Sequence, residues 1–178
     1  MRDIFKWGIE FTQKNKNLDW FEIKRESFMP LLAINLHHLL NGKVFIILSD
    51  DDRAWFCDYF IYKINCSQTR PIFPFFKLNA LYPKFTNTTP KEQIALICDM
   101  LNIVFDDNIV CFYIGKTGTG SYALTKNFEN NFLWIIDDTI ENSFYLSSKG
   151  ENLDNQLIEL TKIFDSAINA VLFEEVAL

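Results

Sequence analysis

A chain of 178 residues, 49% of them apolar, is long enough to bury a core without disulfides or a structural metal, and a single domain spanning residues 1–178 is expected. Its formal charge of −6 argues against a surface built to neutralise phosphates, which needs clustered Lys and Arg, so direct nucleic-acid binding is not expected. Eighteen Phe, four Trp and six Tyr exceed what a small core ordinarily uses, which points to apolar surface covered by other subunits or partners.

The first residues, Met1-Arg2-Asp3-Ile4-Phe5-Lys6-Trp7, scatter charge where a secretory leader would be apolar, and no apolar run approaches the roughly 20 residues that span a bilayer. A soluble cytoplasmic protein with no membrane contact is expected. Cys57, Cys66, Cys98 and Cys111 form no C-x-x-C pair and have no His at zinc-ligand spacing. They read as free buried thiols in a reducing compartment, with no metal and no cofactor.

Along the chain, residues 3–14 predict a short helix and residues 18–40 a long one, kinked or broken near Pro30, which has no N–H to donate. Asn41-Gly42 ends it. Its second half is apolar nearly all round, so it is expected to pack on the sheet and on something else. Residues 43–48 are a continuous apolar run bounded by Gly and Asp, the signature of a strand buried on both faces. Ser49 to Asp52 then turn and cap a helix carrying Trp55, Phe56, Tyr59, Phe60 and Ile64.

A second strand is predicted over residues 72–78, at an edge or a bulge because of Pro74, followed by a loop over residues 79–89. Thr89-Pro90 opens a helix whose core face is Ile94, Ile97, Leu101 and Val104. Strands follow at residues 108–114, 132–136 and 143–147, with a loop and short helix between the first two of these. Residues 153–175 form a final helix with Leu153, Leu157, Leu160, Phe164, Ala167, Ile168 and Val171 at helical spacing. Helices alternating with short apolar strands define an α/β fold with an open parallel sheet between helix layers. The long helices at residues 18–40 and 153–175 carry more apolar surface than one sheet face covers, so a homo-oligomer, a tetramer, is expected.

Two constellations invite chemistry. Gly115-Lys116-Thr117-Gly118-Thr119-Gly120-Ser121 follows a strand and has the glycine spacing of a phosphate loop. Ser121 stands where the phosphate-binding Lys belongs, and Tyr122 where the Mg²⁺-binding hydroxyl belongs, so nucleotide hydrolysis is not expected. Asp50-Asp51-Asp52-Arg53 sits at the carboxyl end of the first long strand, where open α/β sheets place ligands, but a helix start attracts Asp by its dipole and free N–H groups anyway. Capping is favoured over a cation site. His37 and His38 are adjacent on a helix and point about 100° apart, so they cannot share a ligand. No Ser, Cys or Asp finds a base and an orienting partner, so no catalytic residue is assigned.

One further stretch is assigned a role from its spacing alone. With a rotation of about 100° per residue, Leu172 and Phe173 cannot both follow Val171 onto the core stripe. An apolar pair beside Glu174-Glu175 suits docking, the side chains as anchor and the carboxylates as polar rim, so Leu172, Phe173 and Glu174 are the partner-binding candidates.

Several ordered stretches resemble the HobA family, DnaA-binding proteins of the sugar isomerase (SIS) fold related in kind to DiaA. They are Trp20-Phe21-Glu22-Ile23-Lys24-Arg25-Glu26-Ser27, Leu39-Leu40-Asn41-Gly42, Ser49-Asp50 with Arg53 and Trp55-Phe56, and Arg70-Pro71. Tyr82-Pro83-Lys84, Phe132-Leu133-Trp134 and the ending from Val171 to Leu178 complete the pattern, which is weakest over residues 86–131. The resemblance implies a five-stranded parallel sheet in a flavodoxin-like αβα sandwich and a non-catalytic homotetramer. It also implies binding of the N-terminal domain of DnaA, to promote initiator assembly at the chromosomal origin, and DnaA-dependent association with DNA. Phosphosugar-binding members of the fold have a small, Gly/Ser-rich loop after the first strand, whereas this chain has Ser49-Asp50-Asp51-Asp52. The alternative reading, a phosphosugar-binding protein or isomerase, rests on the second Ser/Thr-rich loop with Thr117, Thr119 and Ser121 as ligands.

Overall fold

A computed structural model describes residues 2–150 and 152–178. In chain order the elements are β1 (Arg2–Asp3), α1 (Ile4–Lys14), α2 (Asp19–Leu40), β2 (Val44–Ser49), α3 (Ala54–Asn65), β3 (Phe75–Lys77) and α4 (Leu78–Leu81). They continue with α5 (Lys91–Phe105), β4 (Ile109–Gly115), α6 (Gly120–Thr125), β5 (Asn131–Ile136), β6 (Phe144–Leu146), α7 (Leu153–Leu172) and β7 (Val176–Ala177).

Five strands form an all-parallel sheet in the order β3-β2-β4-β5-β6, with helices on both faces. The chain steps from β2 outward to β3, then returns to the other side of β2 to lay down β4. The carboxyl ends of β2 and β4 therefore flank the point where the winding reverses. As Pro74 requires, β3 lies at the sheet edge and begins one residue beyond it. The ends of the chain meet in a separate parallel ribbon, with Arg2 opposite Val176 and Asp3 opposite Ala177.

Alternation along the strands splits the core in two. Phe45, Ile47, Phe112 and Trp134 face α1, α2, α3 and α7, whereas Ile46, Leu48, Cys111, Tyr113 and Ile135 face α5 and α6. On the first face Phe60 sits with its ring centroid 5.0 Å from Phe112, 5.4 Å from Phe75 and 5.5 Å from Phe164. The abundance of aromatics is thus consumed largely inside the protomer. The surplus apolar surface lies elsewhere and is mostly aliphatic.

Several expectations are corrected. α2 runs through Pro30 as one helix from Asp19 to Leu40. Pro30 and Glu26 are both exposed, so the Glu26 carbonyl that the proline leaves unbonded meets water, while Phe28, Met29 and Leu32 hold the helix to the core. Leu36 and Leu39 are also core residues, so a charge at either strikes protomer folding first. The apolar stripe of α7 is covered inside the protomer, whereas α2 leaves Ile23 and Ile34 exposed and α5 leaves Val104 70% exposed, with Cys98 in the core place expected of Val104. Cys66 is exposed, unlike the other three thiols. α7 stops at Leu172, because Val176 and Ala177 leave the helix to pair with β1, a partner more than 170 residues away that no local pattern announces.

Candidate functional site

Asp50 follows β2 and is almost wholly buried. Its carboxylate accepts the Lys116 N–H at 2.9 Å and the Arg53 N–H at 3.2 Å, and lies 3.3 Å from the Arg53 guanidinium. Burial pushes this carboxyl above its ordinary range, with the two N–H donors and Arg53 opposing. The approach demands glycine at position 115: φ is +152°, and a Cβ there would stand 2.7 Å from the Asp50 carboxylate. The neighbouring carboxylates turn to other partners. Asp52 binds the Arg53 guanidinium at 2.7 Å, and Asp51 accepts from the Asn87 amide at 2.6 Å. The three aspartates diverge, as caps and ion pairs, rather than converge on a cation.

The loop after β4 also disperses its candidates. Thr117 donates to Asp138 at 2.8 Å, beyond the end of β5. Thr119 caps α6 by accepting the Tyr122 N–H at 3.1 Å, and its hydroxyl meets that of Tyr113 at 3.0 Å. Of the three, Ser121 alone lines the cleft of about 130 Å³ at the ends of β2 and β4, with Ser49, Asp50, Asp51 and Asn87.

Asn87 closes that cleft to anions. Its carbonyl accepts the Gly120 N–H at 2.8 Å and its side-chain oxygen accepts the Ser121 N–H at 3.2 Å. The Gly120 and Ser121 amides are therefore taken, and the carboxylates of Asp50 and Asp51 stand beside them. A Cβ at position 120 would lie 2.8 Å from the Asn87 carbonyl, so this close approach also depends on glycine. Cys57 lines the same cleft, and burial pushes its thiol up to about 11, which favours the protonated form. In the sequence Asn87 is one residue of the loop expected over residues 79–89. An Asn among threonines signals only a turn, and its partners lie on β2 and α6.

At the other candidate site, α7 ends in a tight reversal. Glu174 adopts a left-handed φ of +58°, its N–H donates to the Val171 carbonyl at 3.2 Å, and the Glu175 N–H donates to the Ala170 carbonyl at 2.9 Å. Leu172 is half-buried and packs on the core, whereas Phe173 is 57% exposed and Glu174 is exposed. The three sequence-predicted residues are contiguous, but the reversal presents Phe173 and Glu174 outward and turns Leu172 in.

A doubly wound five-stranded parallel sheet between helix layers, with Asn87 holding the Gly120 and Ser121 amides at its strand-end cleft, defines an αβα sandwich. A phosphoheptose isomerase from Francisella tularensis has the same fold, with a TM-score of 0.51 and 12% identity over 89% of this chain and 97% of its own. The chain belongs to the HobA family, described as a DNA replication regulator, which matches residues 1–178. It is similar to the DNA replication regulator protein HobA of Helicobacter pylori, at 26% identity over 188 residues and 100% of both chains. It is also similar to the HobA of a Helicobacter pylori complex of HobA with DnaA domain I-II, with a TM-score of 0.78 and 25% identity over 100% of both chains.

Proposed function

We propose that this chain acts as one cytoplasmic domain that binds the N-terminal domain of DnaA and, as a homotetramer, promotes assembly of DnaA at the chromosomal origin. The observation that carries this reading is the end-to-end likeness to a HobA found in complex with DnaA domain I-II. Several identical sites on one assembly gather several initiators, so later binding steps occur at a raised effective concentration without new chemistry. Such a device needs an exposed anchor, which Phe173 and Glu174 provide, and apolar surface for assembly, which α5 provides.

No catalytic step is required. The formal charge of −6 favours association with DNA through DnaA rather than directly. No helix among the described residues is long and apolar enough to cross a membrane, in keeping with a cytoplasmic place of action. The Asn87 closure weighs against the phosphosugar reading, and titration of sugar phosphates into the protein is expected to give no heat. Capture of the DnaA N-terminal domain by the purified protein tests the proposal directly; no capture at micromolar concentrations would overturn it.

A further inference from the structure

The outer face of α5 leaves a row of apolar side chains uncovered. Leu96, Met100, Ile103 and Val104 are 62%, 54%, 82% and 70% exposed, and Phe76 and Leu81 extend the patch at 40% each. Side-chain areas of about 150–200 Å² turn these fractions into roughly 600 Å² of apolar surface, at the top of what a monomer ordinarily leaves in water. A stable interface covers about 800 Å² on each partner, and in homodimers about 65% of that is apolar. The patch therefore covers the roughly 520 Å² of apolar area that one side of a homodimer needs.

Its composition selects the occupant. From Ile94 to Phe105 the helix carries one charged residue, Asp99, which lies at the edge of the stripe by helical rotation. A partner that comes and goes would leave this stripe periodically open to water, whereas a permanent one keeps it dry. The surface carries both a projection and a recess. Ile103 stands clear of the helix beside an apolar groove of about 160 Å³ lined by Leu81, Tyr82, Met100 and Val104. An apolar projection and an apolar groove on one face are what a two-fold contact between identical copies uses.

We propose that α5 packs against α5 of a second copy of this chain, antiparallel around a two-fold axis, and that this face is one of the interfaces of the assembly. The inference rests on the self-association reading above and assigns it a surface. A tetramer built from two kinds of two-fold contact loses only one of them when this face is spoiled.

Light scattering on the full chain at micromolar concentration tests it, with far-UV circular dichroism to verify the fold. The double variant Ile103→Glu and Val104→Glu, both at exposed positions, is expected to fold and to show half the wild-type mass. Leu96→Arg repeats the test on the same stripe should the double variant fail to fold. A wild-type monomer would overturn self-association itself. A folded variant with unchanged mass would overturn the α5 assignment alone, and unchanged mass with lost capture of the DnaA N-terminal domain would give the face to the initiator.

Discussion

Phe173→Ala separates partner binding from folding at the carboxyl end of α7. The ring exposes 57% of its surface, roughly 115 Å² of a side chain of about 200 Å². Complete burial in a partner at about 25 cal/mol per Å² is worth about 3 kcal/mol at most, and alanine retains a small part of it. The expected loss of affinity for the DnaA N-terminal domain is therefore about 1–3 kcal/mol, or roughly 5- to 150-fold in Kd. Because the ring does little inside the protomer, stability should change by no more than about 0.5 kcal/mol. Leu172→Ala is the contrasting variant: its half-buried side chain packs on the core, so about 1–2 kcal/mol of stability should go with it. Calorimetric titration of the initiator domain, with light scattering on the same samples, reads both outcomes. Unchanged affinity in a Phe173→Ala variant of unchanged mass would refute the anchor role, and loss of mass would assign the residue to assembly.

Lys116→Ala and Ser121→Ala should leave initiator binding unchanged, since that loop is occupied by Asp50, Asp137 and Asn87; a large loss in a titration would put the loop in the interface. Arg70→Ala should cost about 3 kcal/mol, or roughly 6–12 °C in Tm, because the buried guanidinium pairs with Asp165 and donates to the Ile64 carbonyl and Asn169, tying α3 to α7. A melting curve within a degree or two of wild type would contradict this. Asp50 holds its proton more tightly folded than unfolded, so its contribution to stability is greatest below the ordinary carboxylate range near 3.8 and is lost as pH rises through the raised folded value. Asp50→Asn lacks that loss, so the stability of the variant relative to wild type should be higher at neutral pH than below the ordinary carboxylate range near 3.8. Urea unfolding at both pH values checks this, and a constant difference would contradict it.

What the sequence determined by itself were the local decisions. The apolar run at residues 43–48 could be stable only as a strand covered on both faces, Pro74 forced its strand to an edge, and Asn41-Gly42 stopped α2, since each follows from hydrogen-bonding capacity and side-chain period within a few residues. The failed phosphate loop was equally legible, because the residues that would do the chemistry are missing from it. Tertiary structure decided the rest. Whether Pro30 broke its helix depended on which side of α2 faced water. The end of α7 was set by the pairing of Val176 with Arg2, which pulls the last residues out of the helix and turns Phe173 outward. Asn87 became the stopper of the strand-end cleft because a loop between α4 and α5 reaches across to α6, and the apolar stripe of α5 stayed uncovered because the sheet face beneath it was already filled by Ile94, Ile97 and Leu101. Contacts of this kind join residues far apart in the chain, and their energies depend on what else occupies the same space, which no window of sequence records.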